Sequence, residues 1–355
     1  MSDKVSIIIP TRNRRDLLRQ ALRSARAQTW PGIELLVVDE ASGDGTGDMV
    51  AAEFPGVRIV RHDVPRGPGG ARNSGLGATD GNWVLFLDDD DLLHDHHIES
   101  LVRASHNLTD ASEVVSGRWR RFMTVGSDVR LGPVVCAPKN RRGIETLAEA
   151  LEPNGEGTIC CHSVLWPRAV FADVLWDEEL STNGDVDFVG RAILSGRQIV
   201  GRQVGMAYYR SHIGDRVAGV ESLHGLLSSA RYRLKWSQLL LSHPEQQVCA
   251  ASMRNGFMTL MIGLSGVPDA DELMFFLQDA YQLWGGQGYY MSSPPRHPLK
   301  RLVAESTLRL GGPAALNWLL KQTRRGGRNP PPSAGYDPPR TDLDNVDVAA
   351  IRSVE

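Results

Sequence analysis

The chain has 355 residues, with 39 lysines and arginines against 42 aspartates and glutamates, and its net charge of -3 gives no bulk electrostatic footprint for nucleic acid. A hydrophobic content of 41 % is enough to bury a core or two and predicts more than one domain. The four cysteines, Cys136, Cys160, Cys161 and Cys249, have neither zinc-ligand spacing nor the look of a secreted disulfide framework, so reduced, buried thiols are expected.

The first ninety residues alternate apolar strands with amphipathic helices, the pattern of a parallel sheet covered on both faces. Val5 to Ile9 is a β-branched run that Pro10 is expected to stop. Leu17, Leu18, Ala21, Leu22 and Ala25 recur at helical spacing and predict a helix from about Arg14 to Gln28. Glu34 to Val38 reads as a second strand, and Ser42-Gly43-Asp44-Gly45-Thr46 suits a tight turn into a helix amino terminus. Val57 to Val60 and Trp83 to Leu87 are two further strands. Between them, Arg66 to Gly75 reads as a glycine-rich loop entering a short helix, able to bring backbone amides close to an anion. From Val114 to Tyr209 the pattern is mixed, with strands at Val114-Val115 and Ser163-Val164-Leu165 and helices near Glu145 to Leu151 and Phe188 to Leu194. Past Gly219 it is helical, with Leu223, Leu226, Leu227 and Ala230 on one face and Leu273, Phe276, Leu277 and Ala280 on another.

Met1 to Lys4 leads directly into a strand, which leaves no room for a signal peptide, and the apolar stretch around Phe257 to Val267 is too short to span a bilayer. A cytoplasmic location is therefore expected. A basic amphipathic stretch from Arg296 to Arg328 has two readings, contact with an anionic membrane surface or helices packed on the main domain. The proline-rich tail from Asn329 onward is expected to be disordered.

The first four strands describe an open α/β nucleotide-binding sheet, in which ligands bind beyond the carboxyl ends of the strands. Thr11, Asp39, the Ser42 turn and the run Asp88-Asp89-Asp90-Asp91 all sit at that edge. Neither Gly-x-x-x-x-Gly-Lys-Ser/Thr nor Gly-x-Gly-x-x-Gly after a strand is present, which argues against a P-loop NTPase and a nicotinamide dehydrogenase. Four adjacent carboxylates repel one another unless a cation sits between them. The run reads either as a solvated turn or as an oxygen-rich site for magnesium or manganese shared with substrate phosphates.

The set Ile9-Pro10-Thr11-Arg12-Asn13-Arg14, Val37-Val38-Asp39-Glu40-Ala41-Ser42 with Asp44-Gly45-Thr46, Gly70-Ala71-Arg72-Asn73, and Phe86-Leu87-Asp88-Asp89-Asp90-Asp91 resembles family 2 glycosyltransferases of the GT-A fold. The resemblance covers roughly the first two-thirds of the chain. It implies a GT-A-type nucleotide-binding open sheet with a mixed acceptor half and a helical C-terminal extension. The implied units are a nucleotide-sugar half at 1–115, an acceptor and catalytic-base half at 116–219, a helical region at 220–328 and the tail at 329–355.

The same resemblance implies a nucleoside-diphosphate sugar donor, a hydroxyl acceptor and a Mn²⁺ or Mg²⁺ cofactor. Thr11 and Asp39 match positions that hold the base, Arg72 is implied at the donor or the aspartate run, Asp88 and Asp89 face the ribose, and Asp90 contacts the metal. The segment Leu180 to Arg191 looks like the family's acidic acceptor-side motif, with Asp185 at the general base and Asp187 as fallback. Gly184 departs from the motif, where glutamate is common. Tyr208-Tyr209-Arg210-Ser211-His212 resembles the closing segment, in which His212 returns to the metal, and Ile213 to Gly219 would suit a lid. His94, His96 and His97 are expected on an exposed first helical turn. Two other functions remain open on the same motifs, a nucleotidyltransferase and a non-catalytic nucleotide-sugar-binding scaffold.

Overall fold

The computed structural model describes residues 3–125, 128–137, 142–152, 159–211, 223–264, 271–286 and 351. In chain order the first elements are β1 (Val5–Thr11), α1 (Arg15–Arg26), β2 (Ile33–Glu40), α2 (Thr46–Glu53), β3 (Arg58–His62), α3 (Gly67–Ala78), β4 (Trp83–Phe86), β5 (Leu92–Leu93) and α4 (His97–His106). Then come β6 (Glu113–Ser116), β7 (Arg118–Val125), β8 (Asp128–Cys136), α5 (Gly143–Ala150), β9 (Val164–Pro167), α6 (Gly184–Leu194), β10 (Gln198–Gly201) and β11 (Ala207–Arg210). The helical region follows as α7 (Leu223–Leu241), α8 (Ala250–Leu264) and α9 (Asp271–Leu283).

A seven-stranded sheet runs β10-β6-β9-β4-β1-β2-β3. Its strands are parallel except β9, which lies antiparallel between β4 and β6. Alternation along the central strands explains why they read as continuous apolar runs. Ile8, Leu36, Val38, Val84 and Phe86 enter one core with α3 and α5 to α9, while Ile7, Ile9, Val37 and Leu85 enter the opposite core with α1, α2 and α4. Buried on both faces, such strands have no polar side to show.

A second, four-stranded sheet, ordered β5-β11-β7-β8, stands at the carboxyl edge of the first. The β7–β8 hairpin that builds most of it is absent from the sequence expectations. Its strands carry Arg118, Arg120, Arg121 and Arg130, and its register slips between Arg120 and Phe122, so clean alternation is lost.

Three expectations need correction. Pro10 does not stop β1, which runs on to Thr11. Beyond Ile8 the strand pairs with β2 alone, β4 having ended its register at Phe86, so the missing N–H falls where one neighbour is already gone. The glycine-rich segment is not a loop, because α3 begins at Gly67 with Pro68 in its first turn. Its amino terminus is already occupied, with Glu40 Oε2 accepting the Arg66 and Gly67 N–H groups at 2.6 and 2.7 Å. Finally, His97 is fully buried, its Nε2 3.0 Å from the His162 carbonyl, and burial lowers its pKa to about 3. Of the three histidines, only His96 is exposed.

All four cysteines are free, and Cys160, Cys161 and Cys249 are buried as expected. The tail 329–355 and the basic stretch 296–328 lie outside the described residues except Ile351, which is buried against Leu92, Phe122, Met206 and Tyr208. No described helix is long and apolar enough to cross a membrane.

Close approach of α3 to the sheet depends on Gly75, where a Cβ would collide with the Ile8 side chain and lie 3.3 Å from Val38. Gly75→Ala is expected to cost about 1–3 kcal/mol from overpacking. Urea denaturation at constant m-value checks this.

Candidate active site

The carboxyl ends of β1, β2 and β4, the first turn of α6 and the end of β11 converge on one cleft. Each of the four aspartates after β4 meets a protein cation or donor there. Arg72 Nη2 donates to Asp88 Oδ1 at 2.5 Å. Thr11 Oγ1 donates to Asp89 Oδ2 at 2.7 Å, and Arg14 Nη1 donates to both Asp89 Oδ1 and Asp90 Oδ2 at 3.0 Å. The Arg210 backbone N–H donates to Asp91 Oδ1 at 2.7 Å, and its side chain Nε donates to the Asp90 carbonyl at the same distance. His162 Nδ1 lies 3.1 Å from the other Asp91 oxygen.

Burial then acts on the two innermost carboxyls. It pushes Asp89 up to about 6 against the pull of Arg14, and it pushes Asp91 well above the usual range with the charges of Asp90 and Asp88 adding. His162 is driven the opposite way, down to about 4, so the Asp91–His162 contact joins two groups that both resist charge.

Asp39, next to last in β2, has no solvent exposure. Its Oδ1 accepts the Ser42 N–H at 2.9 Å, while Oδ2 has no hydrogen-bond partner and lies 3.9 Å from Arg61 Nε. A buried carboxylate oxygen left in that state is costly and invites a ligand donor.

Asp185 sits in the first turn of α6, two residues beyond Asn183, which takes a left-handed backbone at φ 59°. Its Oδ1 accepts the Val186 N–H at 2.9 Å. The side chain is open to the cleft yet ringed by protein, and that desolvation raises its pKa. The Asp88 charge adds to the rise, while the Val186 N–H and Arg72 oppose it. Asp185 and the aspartate run therefore share one electrostatic environment although 94 positions separate Asp185 from Asp91. A cavity of about 130 Å³ opens beside Asp185, lined by Asn183, Cys161, Val186, Tyr232 and Arg233.

Asp187, the fallback base, is committed elsewhere. It is fully buried and paired with Arg191 and Lys235 at 2.8 and 2.7 Å.

Sequence reasoning brought Thr11, Asp39, Arg72, Asp88, Asp89, Asp90 and Asp185 to this edge, and the structure gathers them there. His212 and the Ile213 to Gly219 segment lie outside the described residues. Arg14, Trp176, His162 and Arg210 were missed as parts of the site. Arg14 and Arg210 stood inside quoted motifs without a role assigned to them, and Arg14 carried a usable signal, a cation just beyond a strand end. Trp176 gave none, since its role depends on contacts across a hundred residues. The Arg72 guanidinium lies 4.4 Å over the Trp176 ring, and that ring stacks on Phe188 of α6 at 4.6 Å. Asn73 grips the Trp176 backbone on both sides, accepting its N–H and donating to its carbonyl at 3.0 Å each.

Comparison with known proteins decides what this site belongs to. Residues 6–175 match the model of glycosyl transferase family 2. That segment is a family 2 glycosyltransferase domain. The chain is 39 % identical over 135 residues to the succinoglycan biosynthesis protein ExoO of Rhizobium meliloti, a match covering 36 % of the chain and 39 % of that protein. It is 35 % identical over 107 residues to the GalNAc(5)-diNAcBac-PP-undecaprenol beta-1,3-glucosyltransferase of Campylobacter jejuni, covering 29 % of the chain and 35 % of the relative. Both matches thus span well under half of either relative's length. Among solved structures, S. aureus TarS 1-349 in complex with UDP superposes with a TM-score of 0.53 at 19 % identity, covering 91 % of this chain and 92 % of that one. The likeness establishes the GT-A fold, a large mostly parallel sheet followed by helices.

Asp187, beyond the matched segment, is a buried partner of Arg191 and Lys235. Asp187→Asn should lower stability by about 3 kcal/mol, because it removes a buried carboxylate from Arg191 and leaves Lys235 with Asp177 alone. Denaturant unfolding measures the loss.

Proposed function

We propose that the chain transfers a sugar from a nucleoside-diphosphate sugar to an acceptor hydroxyl, with inversion and with Asp185 as general base. The observation that carries this reading is the meeting of Asp185 and Asp88 in one cleft. A carboxylate of raised basicity faces the open space, and donor-side groups line the opposite wall. In the reaction, the acceptor oxygen bonds to the anomeric carbon as the bond from that carbon to the diphosphate oxygen breaks. The acceptor proton passes to Asp185. A base of raised pKa takes that proton more readily than an ordinary aspartate.

The unpartnered Asp39 Oδ2 supports a role in accepting from the base of the nucleotide, and Arg72, fixed to Asp88, supports a donor-side charge. Thr11 acts through Asp89, and the cavity beside Asp185 suits a single ring of the acceptor. UDP in the TarS structure is in keeping with a nucleotide donor.

The family implies a divalent metal, and the residues fit one in a limited way. Asp90 offers carboxylate oxygen on a side chain 16 % exposed, more open than Asp89 or Asp91. Among the described residues no three His, Cys, Asp or Glu side chains converge on one point, so the donor diphosphate and water would complete the shell, with His212 as a further ligand. Mg²⁺ or Mn²⁺ held by Asp90 would supply charge neutralisation for the leaving diphosphate.

Asp185→Asn should reduce nucleoside diphosphate release in the presence of acceptor by at least about a hundredfold, with donor KM and melting temperature preserved. The base works only when deprotonated and its pKa is raised, so kcat/KM should fall, as pH is lowered, at a higher pH than an ordinary aspartate would give. An acid limb in the usual aspartate range would remove Asp185 from the role. Asp39→Ala should raise donor KM by about tenfold or more with kcat little changed, in steady-state kinetics with varied donor.

A further inference from the structure

We propose that Arg14 is the resident counter-cation of Asp90 and gives that carboxylate up to a divalent metal, so that metal entry is an exchange of one cation for another. The proposal rests on the metal reading of Asp90.

Three arginines serve the four aspartates, and they are held differently. Arg72 is 7 % exposed, packed over Trp176 and fixed to Asp88. Arg210 is 4 % exposed, lies 4.5 Å over the Phe122 ring, and donates from Nε to the Asp90 carbonyl and from Nη2 to Gln20. Neither can leave without dismantling the wall of the cleft. Arg14 has a side chain 20 % exposed, and one nitrogen, Nη1, serves both Asp89 and Asp90 at 3.0 Å.

That shared nitrogen makes release of Asp90 inexpensive. If Asp90 turns to a metal, Arg14 keeps Asp89, whose other oxygen is already held by Thr11, so no buried charge is stranded. Charge also balances in the exchange. A dication and a doubly negative diphosphate arrive together, so the net charge of the site is unchanged while Arg14 stays on Asp89. Until then Arg14 supplies the cation that four adjacent carboxylates require. A guanidinium beside the metal position repels the incoming ion, so removing it should strengthen metal binding.

The test is Mn²⁺ binding to the full chain, read by the electron paramagnetic resonance of the free ion. Arg14→Met should bind Mn²⁺ about tenfold or more tightly than wild type. Arg14→Lys, which keeps the charge, should stay near wild type. The melting-temperature gain from added Mn²⁺ should likewise be larger in Arg14→Met than in wild type. Arg14→Gln, neutral but able to donate to Asp89, serves as the second variant if the methionine form folds poorly. Equal or weaker Mn²⁺ binding in the neutral variants overturns the exchange and leaves the metal at Asp90 in place. No Mn²⁺ binding by wild type or variants, with nucleoside diphosphate release indifferent to EDTA, overturns the metal reading and this inference with it.

Discussion

Four carboxylates in succession at the end of a buried strand set the terms for everything around them. Left alone they would repel, and burial would protonate the innermost. The fold answers with Arg14 from the start of α1, Arg72 from α3 and Arg210 from the end of β11, one cation from each of three separate elements. Each arginine also buys a tertiary contact, tying its element to the loop after β4. The cleft is thus held by the same charges that define its chemistry, and no single element could be shifted without unbalancing the aspartates.

Helix α3 turns that local balance into long-range geometry. Gly75 lets it lie close on β1 and β2, which sets the depth of Arg72 and Asn73. Arg72 reaches Asp88 in the aspartate run while its flat face lies on Trp176. Asn73 locks the Trp176 backbone, and the Trp176 ring stacks on Phe188, one turn along α6 from Asp185. A chain of rigid contacts, most of them buried, runs from the aspartate run to the opposite wall of the cleft. The start of α6, and Asp185 with it, is thereby tied by packing to the aspartate side of the cleft.

What could be read from the sequence follows from how local each signal is. β1, β2, β4 and the carboxyl-edge placement of Thr11, Asp39 and the aspartates were legible because double-sided burial produces continuous apolar runs that end in polar residues. The β7–β8 hairpin was not, since its strands are rich in arginine and its register slips. The segment Arg66 to Gly75 was misread because glycine usually signals a loop. Here the glycines serve close packing, and Glu40, distant in sequence, caps the helix start. Arg72 was legible as a counter-ion from its motif, but Arg14 and Arg210 were opaque for the same reason. Arg14 meets Asp89 and Asp90 across 75 and 76 positions, and Arg210 meets Asp91 across 119, distances over which a single sequence carries no pairing signal.

The helical extension is part of the site and not an appendage to it. Residues 6–175 carry the family match, yet Asp185 and much of the wall around it lie beyond that boundary. Tyr232 and Arg233 of α7 line the cavity beside Asp185, and Lys235 of the same helix pairs with both Asp177 and Asp187. Asp177 follows Trp176, and Asp187 belongs to α6, so one lysine ties the Trp176 segment and α6 to α7. Gly190 of α6 leaves room for Trp236 of α7 to approach, which brings the two helices into close packing. The wall that carries the aspartate run is therefore built from the segment that matches the family model, and the wall around Asp185 is completed by α6 and α7 beyond it.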